Sequence, residues 1–177
     1  MSRTRRDEAL LSVDRSAPEA EGTGATGAPR WRPWSALVLS LLGLADATYR
    51  TLTHYTTVVP LACNSNGLVN CLKVTTSPES YVFGIPVAVL GLAFFAAMVP
   101  MNLPVAWRST SALIARARLA MVVVGVGFVL YLVSAELFEI GSICLYCTGV
   151  HIITFAVFVL VVTGWQSTGW GALGTES

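Results

Sequence analysis

Four apolar segments, each about 20 residues long, constrain this chain of 177 residues more than any other feature of its sequence. They cover residues 34–54, 80–101, 113–135 and 143–165. About 20 apolar residues in a helix span the hydrocarbon core of a bilayer. With 54% hydrophobic and 12% charged residues, the composition is also too apolar for a soluble domain. We therefore predict an all-α integral membrane protein built as a bundle of four transmembrane helices.

The two ends of the chain differ in character from this region. Residues 1–32 are polar, rich in Ala, Gly, Pro and Arg, and without apolar periodicity, which predicts a disordered tail. We assign residues 33–166 to one membrane domain and residues 167–177 to a second, short tail. A net charge of +1 gives no indication of nucleic-acid binding.

The basic residues predict the orientation. Arginines are concentrated before the first span and around the connection between the second and third spans, at Arg108, Arg116 and Arg118. The positive-inside rule therefore places both termini and the 102–112 loop in the cytoplasm. We expect the protein to lie in the plasma (inner) membrane. The tryptophans agree, since all five fall at the predicted inner interface: Trp31, Trp34, Trp107, Trp165 and Trp170. The long 55–79 loop between the first two spans is then extracytoplasmic.

The four cysteines of the chain all fall on that outer side. Cys63 and Cys71 lie in the 55–79 loop, and Cys144 and Cys147 form a Cys-x-x-Cys pair at the outer end of the fourth span. Disulfides persist on this oxidising face. A Cys-x-x-Cys pair is a candidate redox couple, and with Ser142 as the helix N-cap Cys144 would lie in the first turn, where a thiolate is favoured. The loop pair fits either a structural disulfide or a mobile dithiol that exchanges with the active pair.

Polar residues in and near the spans give further predictions. We expect Asp46, inside the first span, to pair with Arg50, with a proton relay as the alternative. We interpret Glu136 and Glu139 as a solvated turn. His151 lies one helical turn after Cys147 on the same helix face, where it fits an interhelical hydrogen bond.

The second span has its own signals. Ser77-Pro78-Glu79 is typical of a helix start. Pro86 follows within the predicted span, and we expect it to kink that helix or to break one of its backbone hydrogen bonds.

Together, these residues resemble the vitamin K epoxide reductase family. The pattern is a loop cysteine pair, a serine six residues after the second cysteine, a Phe-Gly segment entering a helix, and a later Cys-x-x-Cys at a helix start. In this chain it comprises Cys63, Cys71, Ser77, Phe83-Gly84-Ile85-Pro86 and Cys144-Leu145-Tyr146-Cys147. The match covers about 55–91 and 142–151, in the family's order, and it is closer to the bacterial branch.

The resemblance implies a role for each cysteine. Cys144 and Cys147 would be the active pair, with Cys147 facing a membrane quinone, either menaquinone or ubiquinone. Cys71 would exchange with Cys144, and Cys63 would exchange with a thioredoxin-like (DsbA-like) protein on the outer side. Many bacterial members carry that domain fused at the C-terminus. This chain ends at Ser177, so we expect a separate partner.

The resemblance also implies a set of quinone contacts. Ser77 would donate a hydrogen bond near the site, and Phe83 belongs to the same segment. Ser80 and His151 stand where better-known members have Asn and Tyr, and both can still hydrogen-bond a quinone carbonyl.

The resemblance favours an enzyme that reoxidises its partner and so supports disulfide formation in exported proteins. The alternatives are a vitamin K epoxide or quinone reductase proper, and a non-catalytic four-span protein with structural disulfides. An enzyme of the DsbB type has its cysteine pairs in the opposite order. A zinc site would need four reduced thiolates, which fits the oxidising face poorly, so we predict no metal.

Overall fold

The computed structural model describes residues 31–56, 63 and 68–167, and in this part of the chain the protein is mostly helical. Four long helices dominate: α1 (Trp31–Tyr55), α3 (Val87–Met101), α5 (Ala112–Ser134) and α6 (Leu145–Ser167). Two short helices, α2 (Cys71–Thr75) and α4 (Pro104–Arg108), lie in the connections. Helix α1 packs against α3 and α6, and α5 packs against α6 and α3. The four long helices therefore enclose a common interior.

Two stretches are long and apolar enough to cross a bilayer: Ala112–Ile140 and Leu145–Trp165. Val87–Met101 is apolar but shorter. The predicted spans at 113–135 and 143–165 thus correspond to membrane-capable helices, whereas membrane crossing by α1 and α3 stays a prediction. Helix α1 begins at Trp31, two residues inside the predicted tail, and the rest of both predicted tails, 1–30 and 168–177, lies outside the described residues.

The prediction that the second span starts at residue 80 is wrong. Pro78–Ser80 forms one turn of 3₁₀ helix, and strands β1 (Tyr81–Val82) and β2 (Ile85–Pro86) then form an antiparallel hairpin before α3 begins at Val87. The two turn residues, Phe83 and Gly84, have φ values of 52° and 78°. Positive φ at both central residues is the geometry of a tight hairpin turn, which a helix cannot contain.

The predicted kink at Pro86 is therefore also wrong. Pro86 has extended backbone angles, φ −57° and ψ 134°, and stands at the N-cap position of α3. Proline is tolerated at the start of a helix because its missing N–H would have no helical partner there. Ser77-Pro78-Glu79 does start a helix, although a short 3₁₀ one, and the Ser77 hydroxyl does not cap it.

The third long helix continues beyond its predicted end at residue 135. After Ser134 the chain makes a π-helical turn over Ala135–Ile140, which ends at Gly141 with φ 62°. Glycine accepts this left-handed conformation without the steric penalty that other residues have. Only residues 141–144 then connect the third and fourth long helices, so the end of one helix lies beside the start of the other.

Candidate functional site

The two cysteine pairs, far apart in sequence, meet in one buried cluster. Cys71, Cys144 and Cys147 belong to a small core, and Cys63, which is half-buried, packs against it. Cys63 and Cys71 form a disulfide with their Cα atoms 6.0 Å apart, while Cys144 and Cys147 are free thiols. The sequence predicts that the loop pair can exchange disulfides with the Cys-x-x-Cys pair. Such an exchange requires the two pairs to lie this close together.

Backbone hydrogen bonds hold the end of the loop against the active pair. The Ile143 N–H donates to Leu68 O at 2.8 Å, and the Asn70 N–H donates to Ile143 O at 3.1 Å. The Lys73 ammonium donates to Ile140 O at 2.6 Å. Asn70 also caps α2, because its side-chain oxygen accepts the Lys73 N–H at 3.0 Å. Cys71, the first residue of α2, is thereby held in the same cluster as Cys144 and Cys147.

The Cys-x-x-Cys pair lies at the start of α6, but the N-cap of this helix is not the predicted residue. Helix α6 begins at Leu145, and Cys144 takes the N-cap position, where its carbonyl oxygen accepts the Thr148 N–H at 2.9 Å. The predicted N-cap, Ser142, is instead buried in the connection, and its N–H donates to Glu136 O at 3.2 Å. Cys147, not Cys144, therefore lies in the first turn.

The Cys144 thiol is more acidic than an ordinary cysteine. Cys144 precedes the membrane-capable helix Leu145–Trp165. A hydrogen bond from the Cys147 side chain lowers the pKa of Cys144 to about 7, against the opposing effect of burial. The positive charge of Arg50 and the backbone N–H groups of Cys147 and Tyr146 act in the same direction as that hydrogen bond. Such a thiolate is the attacking species in disulfide exchange.

Two charged residues whose role the sequence analysis missed surround Cys147. Arg50 interacts electrostatically with both thiols and hydrogen-bonds with Cys147. Glu136 is buried, with 6% of its surface exposed, and interacts with Cys147 and Arg50. The prediction that Glu136 is solvated is wrong, because the third long helix continues past it; Glu139 is exposed. An acid in an apolar helix was the available signal, since such residues are costly unless they serve a function.

The expected pairing of Asp46 with Arg50 is present as an electrostatic interaction. However, the Asp46 Oδ2 and Arg50 Nε atoms are buried and have no hydrogen-bond partner among the described residues. The Arg50 guanidinium is therefore shared between an acid of its own helix and the thiols of α6.

An apolar cavity of about 270 Å³ is lined by residues of all four long helices. Its walls are almost wholly aliphatic and aromatic, and Arg50, His151 and Thr154 supply polar groups. A second cavity of about 40 Å³ is lined by Cys147, Ser80 and Glu136. Arg50, Val87 and Leu132 line both cavities, so the two are neighbours. A flat apolar ring with polar carbonyl groups suits such a lining.

The structure brings some of the predicted ligand residues to these cavities and leaves others out. His151 is buried and lines the larger cavity, and Ser80 lines the smaller one beside Cys147. The Ser77 hydroxyl donates to Val74 O at 3.0 Å, and Ser77 lines neither cavity. Phe83 is fully exposed at the hairpin turn, because the positive-φ backbone there projects its side chain outward.

Comparison with protein families decides the classification. The profile of the Vitamin K epoxide reductase family matches residues 34–162, a region that contains both cysteine pairs and all four long helices in whole or in large part. The chain belongs to the vitamin K epoxide reductase family. Members of the vitamin K epoxide reductase family are generally oxidoreductases, and together with the two apolar helices the match identifies a membrane protein. None of the curated proteins matches this chain significantly.

Proposed function

We propose that this protein is a quinone-linked oxidoreductase that forms disulfides. It would take two electrons from the dithiol of a separate thioredoxin-like (DsbA-like) protein and deliver them to menaquinone or ubiquinone. The observation that carries this proposal is the cluster that brings all four cysteines together, with Cys147 lining a small cavity that neighbours the larger apolar one. A purely structural disulfide gives no reason for two free thiols to be buried beside it.

The exposure of the sulfurs supports an order of exchange. Cys71 and Cys144 are 1% and 0% exposed, whereas Cys63 is half-buried. A thiolate on another protein can approach only Cys63 directly. In the first step the partner thiolate attacks the Cys63 sulfur, Cys71 leaves as a thiolate, and the second partner thiol releases Cys63. The partner becomes a disulfide and the loop pair becomes a dithiol.

The second step is an exchange inside the protein. The Cys71 thiolate attacks Cys144 of an oxidised Cys144–Cys147 disulfide, and Cys63 then displaces Cys144 from the mixed disulfide. The products are a loop disulfide and a reduced active pair, which is the combination present in the structure.

In the third step the active pair returns to a disulfide and gives up two electrons and two protons, which a bound quinone takes up to become a quinol. His151, Arg50 and Thr154 are the polar groups that would orient the quinone carbonyls in the larger cavity. Glu136, beside Cys147, is placed to accept the thiol proton. The apolar walls exclude water from the reacting groups.

We further propose the topology that this chemistry requires. All four long helices would cross the plasma (inner) membrane, with residues 33–166 as one domain and both tails in the cytoplasm. The cysteine cluster would then face the oxidising side, where exported proteins acquire disulfides. The arginine distribution supports this orientation.

The direct test is quinone reduction by the purified protein in detergent. With reduced thioredoxin as the donor, wild-type protein should bleach the quinone absorbance, while Cys147→Ala and Cys63→Ala should not. The opposite result would be no turnover with any benzoquinone or naphthoquinone, and four cysteines in disulfides that dithiothreitol cannot reduce. That result would support a non-catalytic four-span protein with structural disulfides. Consumption of a naphthoquinone epoxide without quinone reduction would instead support the epoxide reductase alternative.

Trapping experiments address the order of exchange. In Cys71→Ser, the free Cys63 thiol should displace thionitrobenzoate from a partner whose first cysteine is capped with that group and whose second cysteine is replaced by serine. Because neither the loop nor the partner then keeps a second thiol to resolve the mixed disulfide, a covalent complex should accumulate. Cys63→Ser serves as the matched control, because its remaining loop thiol, Cys71, is buried. Equal trapping by both variants would contradict the proposed order.

A further inference from the structure

A second polar site lies around Arg118, far along α5 from the cysteine cluster. Arg118 is 6% exposed, and its guanidinium stacks over the Trp107 ring, 4.3 Å from the centroid. One of its terminal nitrogens donates to Ala106 O at 3.1 Å. The arginine is therefore held between α5 and α4 in a fixed orientation.

Two hydrogen-bond donors at this site lack an acceptor. The Arg118 Nε and the Trp107 Nε1 atoms are buried and find no partner among the described residues. Both residues line a cavity of about 60 Å³, together with Ser109 and Trp165. Arginine and tryptophan side chains can only donate, so whatever completes these bonds must be an acceptor.

The charge of Arg118 is also unbalanced within the described part of the chain. That part contains four acidic residues, and all of them are associated with the cysteine end or with Arg50: Asp46, Glu79, Glu136 and Glu139. A buried guanidinium without a counter-charge is costly. The missing acceptor should therefore be an anion, since an anion supplies both the charge and the lone pairs.

Close packing shapes the cavity. A Cβ atom on Gly164 would lie 2.5 Å from the Trp107 ring, so the absence of a side chain on α6 allows the indole to take its position over Arg118. The resulting space has room for about two water molecules or one compact tetrahedral anion. It borders the 102–112 connection, which the arginine and tryptophan distribution predicts to lie at the cytoplasmic headgroup level.

We propose that this cavity is a binding site for a phosphate group, held by the Arg118 guanidinium and the Trp107 N–H. Arginine matches phosphate geometry with paired N–H donors, and the indole N–H adds a third donor. The phosphate comes either from an anionic phospholipid headgroup or from free inorganic phosphate. The site is separate from the redox centre, so its test does not depend on the proposed electron transfer.

Native mass spectrometry of the delipidated protein in detergent tests the proposal. One arm adds dioleoyl phosphatidylglycerol, a second adds dioleoylglycerol, which has the same chains without phosphate, and a third adds inorganic phosphate. We expect one saturable site for the phospholipid or for phosphate and none for dioleoylglycerol. Arg118→Gln should weaken that site by about tenfold or more, because it removes a charge-assisted interaction. Arg116→Gln is the matched control, since Arg116 is exposed on the same helix.

Each outcome decides the proposal. Saturation by phosphatidylglycerol but not by phosphate identifies a lipid headgroup, and the converse identifies a free ion. Equal effects of Arg118→Gln and Arg116→Gln, or saturation by dioleoylglycerol, would overturn the site. So would phosphate binding that appears only after residues 168–177 are removed, because a tail carboxylate would then be the natural occupant.

A second variant guards against misfolding of Arg118→Gln. Trp107→Phe keeps an aromatic ring beside Arg118 but removes the indole N–H, and it should weaken phosphate binding several-fold without changing the helical circular dichroism. Unchanged affinity in a folded Trp107→Phe protein, with Arg118→Gln also unchanged or unfolded, would contradict the proposed donor set.

Discussion

At the scale of single residues, the two cysteines of the Cys-x-x-Cys pair differ because their positions on the helix differ. Cys144 ends the connection and accepts the helix N–H groups, whereas Cys147 lies in the first turn among Arg50 and Glu136. In the proposed exchange Cys144 leaves as a thiolate when Cys63 displaces it from Cys71, and its lowered pKa favours that departure. The inner thiol, Cys147, has a carboxyl group and a cation beside it, which the proposed transfer of protons and electrons to a quinone would use.

The acidity of Cys144 gives a measurable pH dependence. A pKa lowered to about 7 means that the thiolate forms as pH rises through 7, where an ordinary cysteine would titrate near 8.5. Thiolate absorbance at 240 nm, recorded on protein with an intact loop disulfide, should show this step, and Cys144→Ala should abolish it. Arg50→Gln should move the step to higher pH, because it removes a positive charge. A single step near 8.5 in the wild type would contradict the assignment.

Glu136 gives a second prediction at this scale. If its carboxylate accepts the Cys147 proton, Glu136→Gln should slow quinone reduction by about 10²-fold, as loss of a general base typically does. The exposed Glu139 provides the matched control, and Glu139→Gln should leave the rate unchanged. The two variants are compared in steady-state quinone bleaching at saturating donor. Equal rates would show that Glu136 has a structural role only.

The sequence could single out the four cysteines and His151 as candidates, the cysteines by their motifs and His151 by its spacing from Cys147. It could not predict that Arg50 and Glu136 share the site, since nothing local connects the first span with the third. Only helix packing brings them to Cys147. Phe83 shows the converse, because it belongs to the family motif and yet the hairpin turn exposes it.

At the scale of secondary-structure elements, the differences from prediction occur where an apolar run contains a turn. Tyr81 to Pro86 contains no charged residue and includes Val82, Phe83 and Ile85, so hydrophobicity alone extends the span through it. The decisive signals were Gly84 and Pro86, which mark a turn and a helix start. The prediction for residues 135–140 was wrong in the opposite sense. Two acidic residues suggested a solvated turn there, but the helix continues through Ala135–Ile140.

Close packing of α1 on α3 gives a prediction for this scale. A Cβ atom on Gly43 would overlap the ring of Phe95, which is 1% exposed, so the ring would have to shift. Gly43→Ala should therefore destabilise the protein by about 1–3 kcal/mol through overpacking. Gly127→Ala is the control, because no atom lies within 4 Å of its added methyl and alanine favours a helix. Thermal unfolding in detergent should show opposite shifts, and parallel shifts would contradict the packing argument.

At the scale of the whole molecule, the fold separates two polar regions along its helices. The redox cluster and its acids lie where the third and fourth long helices meet, and Arg118 with Trp107 lies toward the other end of α5. Between them, the interior holds an apolar cavity. This division matches the charge distribution from which the sequence predicts an outer and an inner side.

The orientation itself is the last prediction, and two exposed threonines make it testable. Thr76 follows the loop helix α2 near the cysteine cluster, and Thr110 precedes α5 at the Arg118 end. In a background with the native cysteines replaced by serine, Thr76→Cys should react with a membrane-impermeant maleimide added to intact spheroplasts. Thr110→Cys should react only in inverted vesicles, because an odd number of crossings separates the two positions in a four-span topology. Labelling of both positions from the same side would mean that α3 does not cross the membrane. This helix is the one to test, because Val87–Met101 is shorter than the two membrane-capable helices.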